Sequence, residues 1–213
     1  MAITCMDTLM KEVLRDSNYY KKFGGGVTCS GGEPLLQYEF IAEFFKRLKA
    51  EGITTALDTC GYAPRKNLDA VLPWIDYVLY DIKLFESDRH RKYTGAPNEL
   101  ILDNLLYIAD YIRKTNRPME IWIRTPLIPH ITAELDNVKS IGTFIRDNIE
   151  DVVERWELCA FNGVCSSKYD KLGKKWLFDG QGAMSKMEIE PIRQIAISLL
   201  SPEKVIVSGM IRS

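Results

Sequence analysis

Short β-rich runs alternate with helical stretches along this 213-residue chain, and that alternation restricts the fold more than any other feature. Repeated βα units with right-handed crossovers make a parallel sheet covered by helices. A helix is predicted over 6–21, then a strand over 26–34 that closes in a glycine turn, GVTCSGGEP. Over 38–50, Phe40, Ile41, Phe44, Phe45 and Leu48 recur on one helix face, the spacing that buries a helix against a sheet. The strand TTALDTCG follows, then a helix near 67–72, the strand YVLYDIK over 77–83, a helix over 99–114 and the strand MEIWIRTPLI from Met119. A helix over 132–146 leads to VVERWELCAF, which ends near Phe161. Five strands separated by helices give an α/β chain. Residues 162–213 read as a glycine- and lysine-containing loop to 183, a helix over 186–200 and a last apolar run, VIVSG. No repeat, low-complexity stretch or linker interrupts the pattern, so residues 1–213 are expected to form one domain.

Composition narrows the function classes. With 46% hydrophobic and 27% charged residues the chain can bury a sizeable core. Its formal net charge of −1 lacks the basic surplus that attracts phosphate backbones or anionic lipid. Nucleic acid and membrane are therefore not expected as partners. The first residues, MAITCMDTLMKEVLRD, mix charge with apolar side chains and resemble neither a signal peptide nor a spanning helix, so a cytoplasmic location is expected. Cysteines at 5, 29, 60, 159 and 165 are odd in number and lack CxxC spacing, which argues for reduced thiols over a disulfide framework or zinc site.

Polar and glycine residues gather where strands end: Ser30-Gly31-Gly32-Glu33, Asp58-Thr59-Cys60-Gly61, Asp81-Ile82-Lys83, Arg124-Thr125 and Asn162. Parallel α/β folds bind ligands beyond the carboxyl ends of their strands, so these five groups are expected to form one site. Two glycines before Glu33 let a ligand approach main-chain groups. Asp58 and Asp81 end consecutive strands and would repel unless a cation or ammonium group lay between them. Lys83 and Arg124 supply donors for a carboxylate or phosphate. Singly, each has an ordinary structural reading as turn, helix cap or surface charge. Together they describe a site that holds a zwitterion such as an amino acid.

The same residues carry a resemblance. GGGVTCSGGEPLLQ (24–37), ALDTCGY (56–62), YDIKL (80–84) and IRTPLIP (123–129) resemble, in order and spacing, successive blocks of the glycyl radical enzyme activating enzymes, the pyruvate formate-lyase activating enzyme group of the radical S-adenosylmethionine (SAM) superfamily. The resemblance implies a partial parallel (β/α) barrel in which a [4Fe–4S] cluster binds and reduces SAM. The resulting 5′-deoxyadenosyl radical takes a hydrogen atom from a backbone glycine of a partner glycyl radical enzyme. It further implies that Ser30, Gly31, Gly32 and Glu33 meet the SAM amino group and that Lys83, next to Asp81 and Ile82, faces its carboxylate. Asp58, Thr59, Asp81 and the Leu79 carbonyl match a monovalent-cation site, and Arg124 matches an arginine near SAM and the incoming glycine loop. A flavodoxin or ferredoxin is the implied electron donor.

Two departures stand out. Asn162 occupies the place of a histidine that often contacts SAM in that group, although an amide still donates and accepts hydrogen bonds. The group's first strand and CxxxCxxC loop should precede the first predicted helix, and no iron–sulfur ligands or catalytic residues are identifiable in this chain. Cysteines separated by 24, 31, 99 and 6 positions cannot supply three thiolates from one short loop. The expectation is an activase fold missing its first strand, inactive alone, with the GVTCS strand as an open edge prone to self-association. Two rivals compete: a non-catalytic remnant that binds SAM or a partner protein, and an ordinary barrel enzyme using Asp81 and Lys83 for acid–base work. The latter leaves SGGEPLLQ unexplained.

Overall fold

The computed structural model describes residues 5–163, 173, 175–176 and 178–212. Half of the loop predicted over 162–183, with Cys165 in it, lies outside the described residues. Six strands follow one another across an open parallel sheet in chain order: β1 Gly26–Cys29, β2 Thr54–Thr59, β3 Tyr77–Asp81, β4 Glu120–Leu127, β5 Val153–Ala160 and β6 Val205–Ser208. The final apolar run is thus a sixth strand. Helices intervene: α1 Met6–Leu14, α2 Ser17–Phe23, α3 Tyr38–Ala50, α4 Arg65–Val71, α5 Ser87–Thr94, α6 Glu99–Thr115, α7 Leu135–Asn148 and α8 Lys186–Leu199. This is an open parallel (β/α) arrangement, the α/β class expected from the alternation of strands and helices. Among the described residues no helix is long and apolar enough to cross a membrane.

The chain divides into two compact units. The first comprises Met1–Asp81 and Pro97–Trp122. In it β1 pairs with β2 and β2 with β3, all parallel, with Gly26 opposite Thr54 and Ala56 opposite Tyr77. A Cβ on Gly26 would lie 2.2 Å from the Thr54 carbonyl oxygen, so only glycine allows this approach of the two strands. Alternate strand residues Leu57, Thr59, Val78 and Tyr80 are buried, as are Ile41, Phe44, Phe45 and Leu48 of α3. At the amino ends of the strands the Asp76 carboxylate accepts from the Thr55 N–H at 2.9 Å and from Lys49 Nζ at 2.6 Å. The helix predicted over 6–21 is two helices, α1 and α2, separated at Arg15 and Asp16, where the main chain of Asp16 leaves the helical region at φ −97 and ψ 7.

The second unit comprises Ile82–Ala96 and Ile123–Ser213. β5 and β6 pair in parallel, Trp156 opposite Val205 and Cys159 opposite Ser208. Trp156 is fully buried and donates its indole N–H to Thr125 Oγ1 at 3.0 Å. Gly142 of α7 faces the same ring: a Cβ there would lie 2.8 Å from Trp156 Cζ3 and 2.7 Å from Leu199 Cδ1 of α8. α8 begins in a reciprocal capping box between Ser185 and Glu188. α7 starts later than predicted because Thr132 is engaged outside it, its hydroxyl accepting from the Ile128 N–H and donating to the Pro126 carbonyl.

Candidate functional site

In the first unit the turn after β1 and the end of β2 are joined by side chains. Ser30 Oγ donates to Asp58 Oδ2 at 3.1 Å. Glu33 is engaged through both oxygens: Oε1 accepts from Thr59 Oγ1 at 2.6 Å and the Leu35 N–H at 3.1 Å, and Oε2 accepts from the Cys60 N–H at 3.1 Å and its thiol at 3.2 Å. The glutamate therefore orders the Ser30-Gly31-Gly32 turn against β2. Thr59, on the buried face, also accepts from the Gly61 N–H at 2.8 Å, so its hydroxyl is committed within the protein. Gly31 has φ 132, and a Cβ built on Gly31 or Gly32 meets nothing within 4 Å. The space beside this turn is open to a ligand's ammonium group, which main-chain oxygens and the Asp58 carboxylate suit chemically.

Asp58 is the register partner of Leu79, and Asp81 lies two residues further along the same strand face. This arrangement brings Asp58, Leu79 and Asp81 onto one side of β2 and β3, while Thr59 points to the other. Behind them Gly61, at φ 70, lies so close to Tyr80 that a Cβ would fall 1.7 Å from the phenol oxygen. That phenol donates to the Ile101 carbonyl at 2.6 Å, and burial holds its pKa well above the ordinary value. Burial likewise pushes the Cys29 thiol up to about 11.

In the second unit Ile82 is buried and donates its N–H to the Arg124 carbonyl at 3.0 Å. Arg124 Nε lies 3.8 Å from Glu157 Oε2, so the guanidinium faces a carboxylate of β5 that was not singled out from the sequence. Beside them the Cys159 thiol is raised, first by burial and then by the Glu157 charge, against lowering by contacts with Ser208 and Arg124. Asn162 follows Phe161, whose ring stacks on Trp176 with centroids 5.8 Å apart.

Three buried asparagines were also missed. Asn67 of α4 donates to the Leu35 carbonyl at 2.8 Å, holding the loop after β1. Asn104 of α6 donates to the Gly61 and Ala63 carbonyls, both at 2.8 Å, holding the loop after β2. Asn137 of α7 donates to the Lys83 carbonyl at 3.1 Å and accepts from the Phe85 N–H at 2.9 Å, holding the loop after β3. The available signal was polarity on an apolar helix face: Asn104 sits among Ile101, Leu105 and Ile108.

Among the described residues no group of three or more His, Cys, Asp or Glu side chains is placed to hold a metal ion. The described cysteines Cys5, Cys29, Cys60 and Cys159 form no disulfide with one another. The residues described here suit SAM's amino-acid moiety but do not provide a three-thiolate set for an iron–sulfur cluster.

Residues 6–139 match the Radical SAM superfamily. The chain is 38% identical over 168 residues to the (2S)-3-sulfopropanediol dehydratase activating enzyme of Klebsiella oxytoca, covering 79% of this chain and 51% of that protein. To the trans-4-hydroxy-L-proline dehydratase activating enzyme of Clostridioides difficile it is 36% identical over 191 residues, covering 88% and 60%. To the pyruvate formate-lyase 1-activating enzyme of Escherichia coli K12 it is 32% identical over 192 residues, covering 89% and 75%. The chain thus spans between about half and three quarters of these relatives' lengths. Among solved structures, a domain of pyruvate-formate lyase-activating enzyme from Bacteroides vulgatus superposes with a TM-score of 0.68 at 28% identity, covering 87% of this chain and 99% of that one.

Proposed function

The chain belongs to the radical SAM superfamily and has glycyl radical enzyme activating enzymes as relatives, and from that premise we propose that it is the SAM-binding part of such an activase. The observation that carries the reading is the turn after β1, whose glycines leave open space while Glu33 and Ser30 tie it to β2. SAM, when bound, supplies an adenosyl group that one-electron reduction releases for hydrogen abstraction from a glycine. The chain's own residues bind and orient it. The Ser30-Gly31-Gly32-Glu33 turn would receive the amino group. Lys83, flanked by Ile82, would pair with the carboxylate. Asp58, Asp81 and the main-chain oxygens of Thr59 and Leu79 would hold a monovalent cation, the Thr59 side chain being engaged by Glu33 and Gly61. Arg124, oriented by Glu157, and Asn162 would line the approach of a glycyl radical enzyme, the partner that would be oxidised. The electron would come from a flavodoxin or ferredoxin.

The same proposal holds that these 213 residues alone bind SAM without cleaving it, since the described thiols supply no cluster set. That observation also keeps the second reading, a SAM- or partner-binding remnant. Anaerobic incubation with iron and sulfide tests both: the chain is expected to stay without cluster absorption and to leave SAM intact, and SAM cleavage would overturn the inactivity. Translating the source DNA upstream of Met1 in frame separates the two. A CxxxCxxC segment there, with a reconstituted longer protein that places a radical on a partner's glycine, supports the activase; an upstream stop without that motif favours the remnant.

A further inference from the structure

Within the second unit the loops after β3 and β4 border a cavity of about 540 Å³ that shares only Lys83 with the residues assigned above. Its walls are apolar. Leu84, Ile128 and Ile131 form one part and Trp176 and Phe178 another. The aromatic wall is built as a unit: Phe161, Trp176 and Phe178 contact one another with centroids 5.6 to 5.9 Å apart, a spacing at which ring pairs stabilise each other. Lys83 and Lys175 bring two ammonium groups to the lining, and among the described residues no carboxylate lines it. Next to it, α5 exposes Arg91 and Lys92 and contributes Tyr93 and Thr94 to the lining.

We propose that this cavity receives an apolar side chain from a polypeptide segment of the partner protein, with an Asp or Glu of that segment beside Lys175. The inference rests on the activase reading, in which the substrate is a glycine within a polypeptide that must reach the carboxyl ends of the strands. The volume lies in the range of sites that enclose a ligand, and an aromatic or branched side chain seated between Ile128 and Phe178 leaves its neighbours at the cationic rim. The charge pattern decides between occupants. A purine would present an exocyclic amino group to a lining that among the described residues has no carboxylate or carboxamide, whereas a carboxylate of the segment meets the Lys175 ammonium while Lys83 is paired with SAM. The cavity therefore sorts partners by the residues that accompany the target glycine.

The test uses the 213-residue chain and blocked pentapeptides read by tryptophan fluorescence and NMR titration. Acetyl-Ala-Glu-Phe-Gly-Ala-amide is expected to bind about tenfold more tightly than the versions with Lys for Glu or Ala for Phe. Lys175→Glu, at an exposed position, is expected to fold normally and to invert the Glu-over-Lys preference, and Phe178→Ala to abolish the preference for Phe. Equal affinities for all three peptides, or a charge preference that Lys175→Glu leaves unchanged, would overturn the proposal. So would 5′-methylthioadenosine displacing the peptide in a manner lost with Phe178→Ala, which would make the cavity a purine site. Peptide binding requires neither cluster nor turnover. A chain that discriminates among peptides while its extended form never cleaves SAM would therefore refute the activase reading alone.

Discussion

Asn104 illustrates how much a single buried amide can hold. Its two N–H groups satisfy the carbonyls of Gly61 and Ala63, more than 40 residues away in the chain, so truncation leaves both acceptors short of a donor. Asn104→Ala is expected to cost about 2 kcal/mol, measured by urea unfolding; an unchanged midpoint would refute the role. Gly61→Ala should cost at least about 3 kcal/mol, because it adds a side chain at positive φ against the buried Tyr80 phenol. Cysteine reactivity gives an independent check. With the Cys29 pKa at about 11 against an ordinary 9.0, its thiolate fraction at pH 8 is roughly a hundredfold smaller than that of an unperturbed thiol. Iodoacetamide at pH 8 should label exposed Cys5 first, whose pKa is lowered by its hydrogen bond with Thr8, and Cys29 much later. The sign for stability follows from the same shift: the folded pKa is raised, so the contribution is complete below pH 9 and is lost as pH climbs towards about 11. At this scale the sequence was only partly legible. SGGEP announces a close main-chain approach, but the use of Glu33 as an internal tie depends on Thr59 and Cys60, which no local pattern links to it.

Elements with a strong apolar period were readable, and those without one were not. α3 occupies the 38–50 span that its aromatic face indicates, whereas α5 went unnoticed because SDRHRKYT buries only His90. Its signals lie at its ends: Glu86 accepts from the Asp88 and Arg89 N–H groups, and Gly95 closes it at φ 89. The VIVS run was too short to be counted as a strand without its partner β5. Edge strands carry a consequence of their own. β1 is the first strand of the open order and among the described residues pairs only with β2, which leaves one row of its main-chain groups for another chain. We expect concentration-dependent self-association in gel filtration, reduced by Thr28→Lys at an exposed position of this edge. A monomer at every concentration would sink that expectation.

For the molecule as a whole, ligand binding and stability are linked. SAM at a hundred times its Kd should raise the unfolding free energy by about 2.7 kcal/mol, read as a thermal shift that Lys83→Ala diminishes; no shift at saturating SAM would remove the binding half of the proposed function. The α/β class was legible because βα alternation is a property of the entire chain, repeated often enough that errors in single boundaries do not matter. The division into two compact units was not, since each gathers segments distant in sequence, with Pro97–Trp122 joining the amino-terminal residues. The asparagine contacts have one more implication. Asn67, Asn104 and Asn137 donate to carbonyls and not to side chains of the loops after β1, β2 and β3. A carbonyl is the same in every residue, so these anchors are indifferent to what the loops spell. New side chains can be written into them, by evolution or by design, while the backbone stays fastened at the same points.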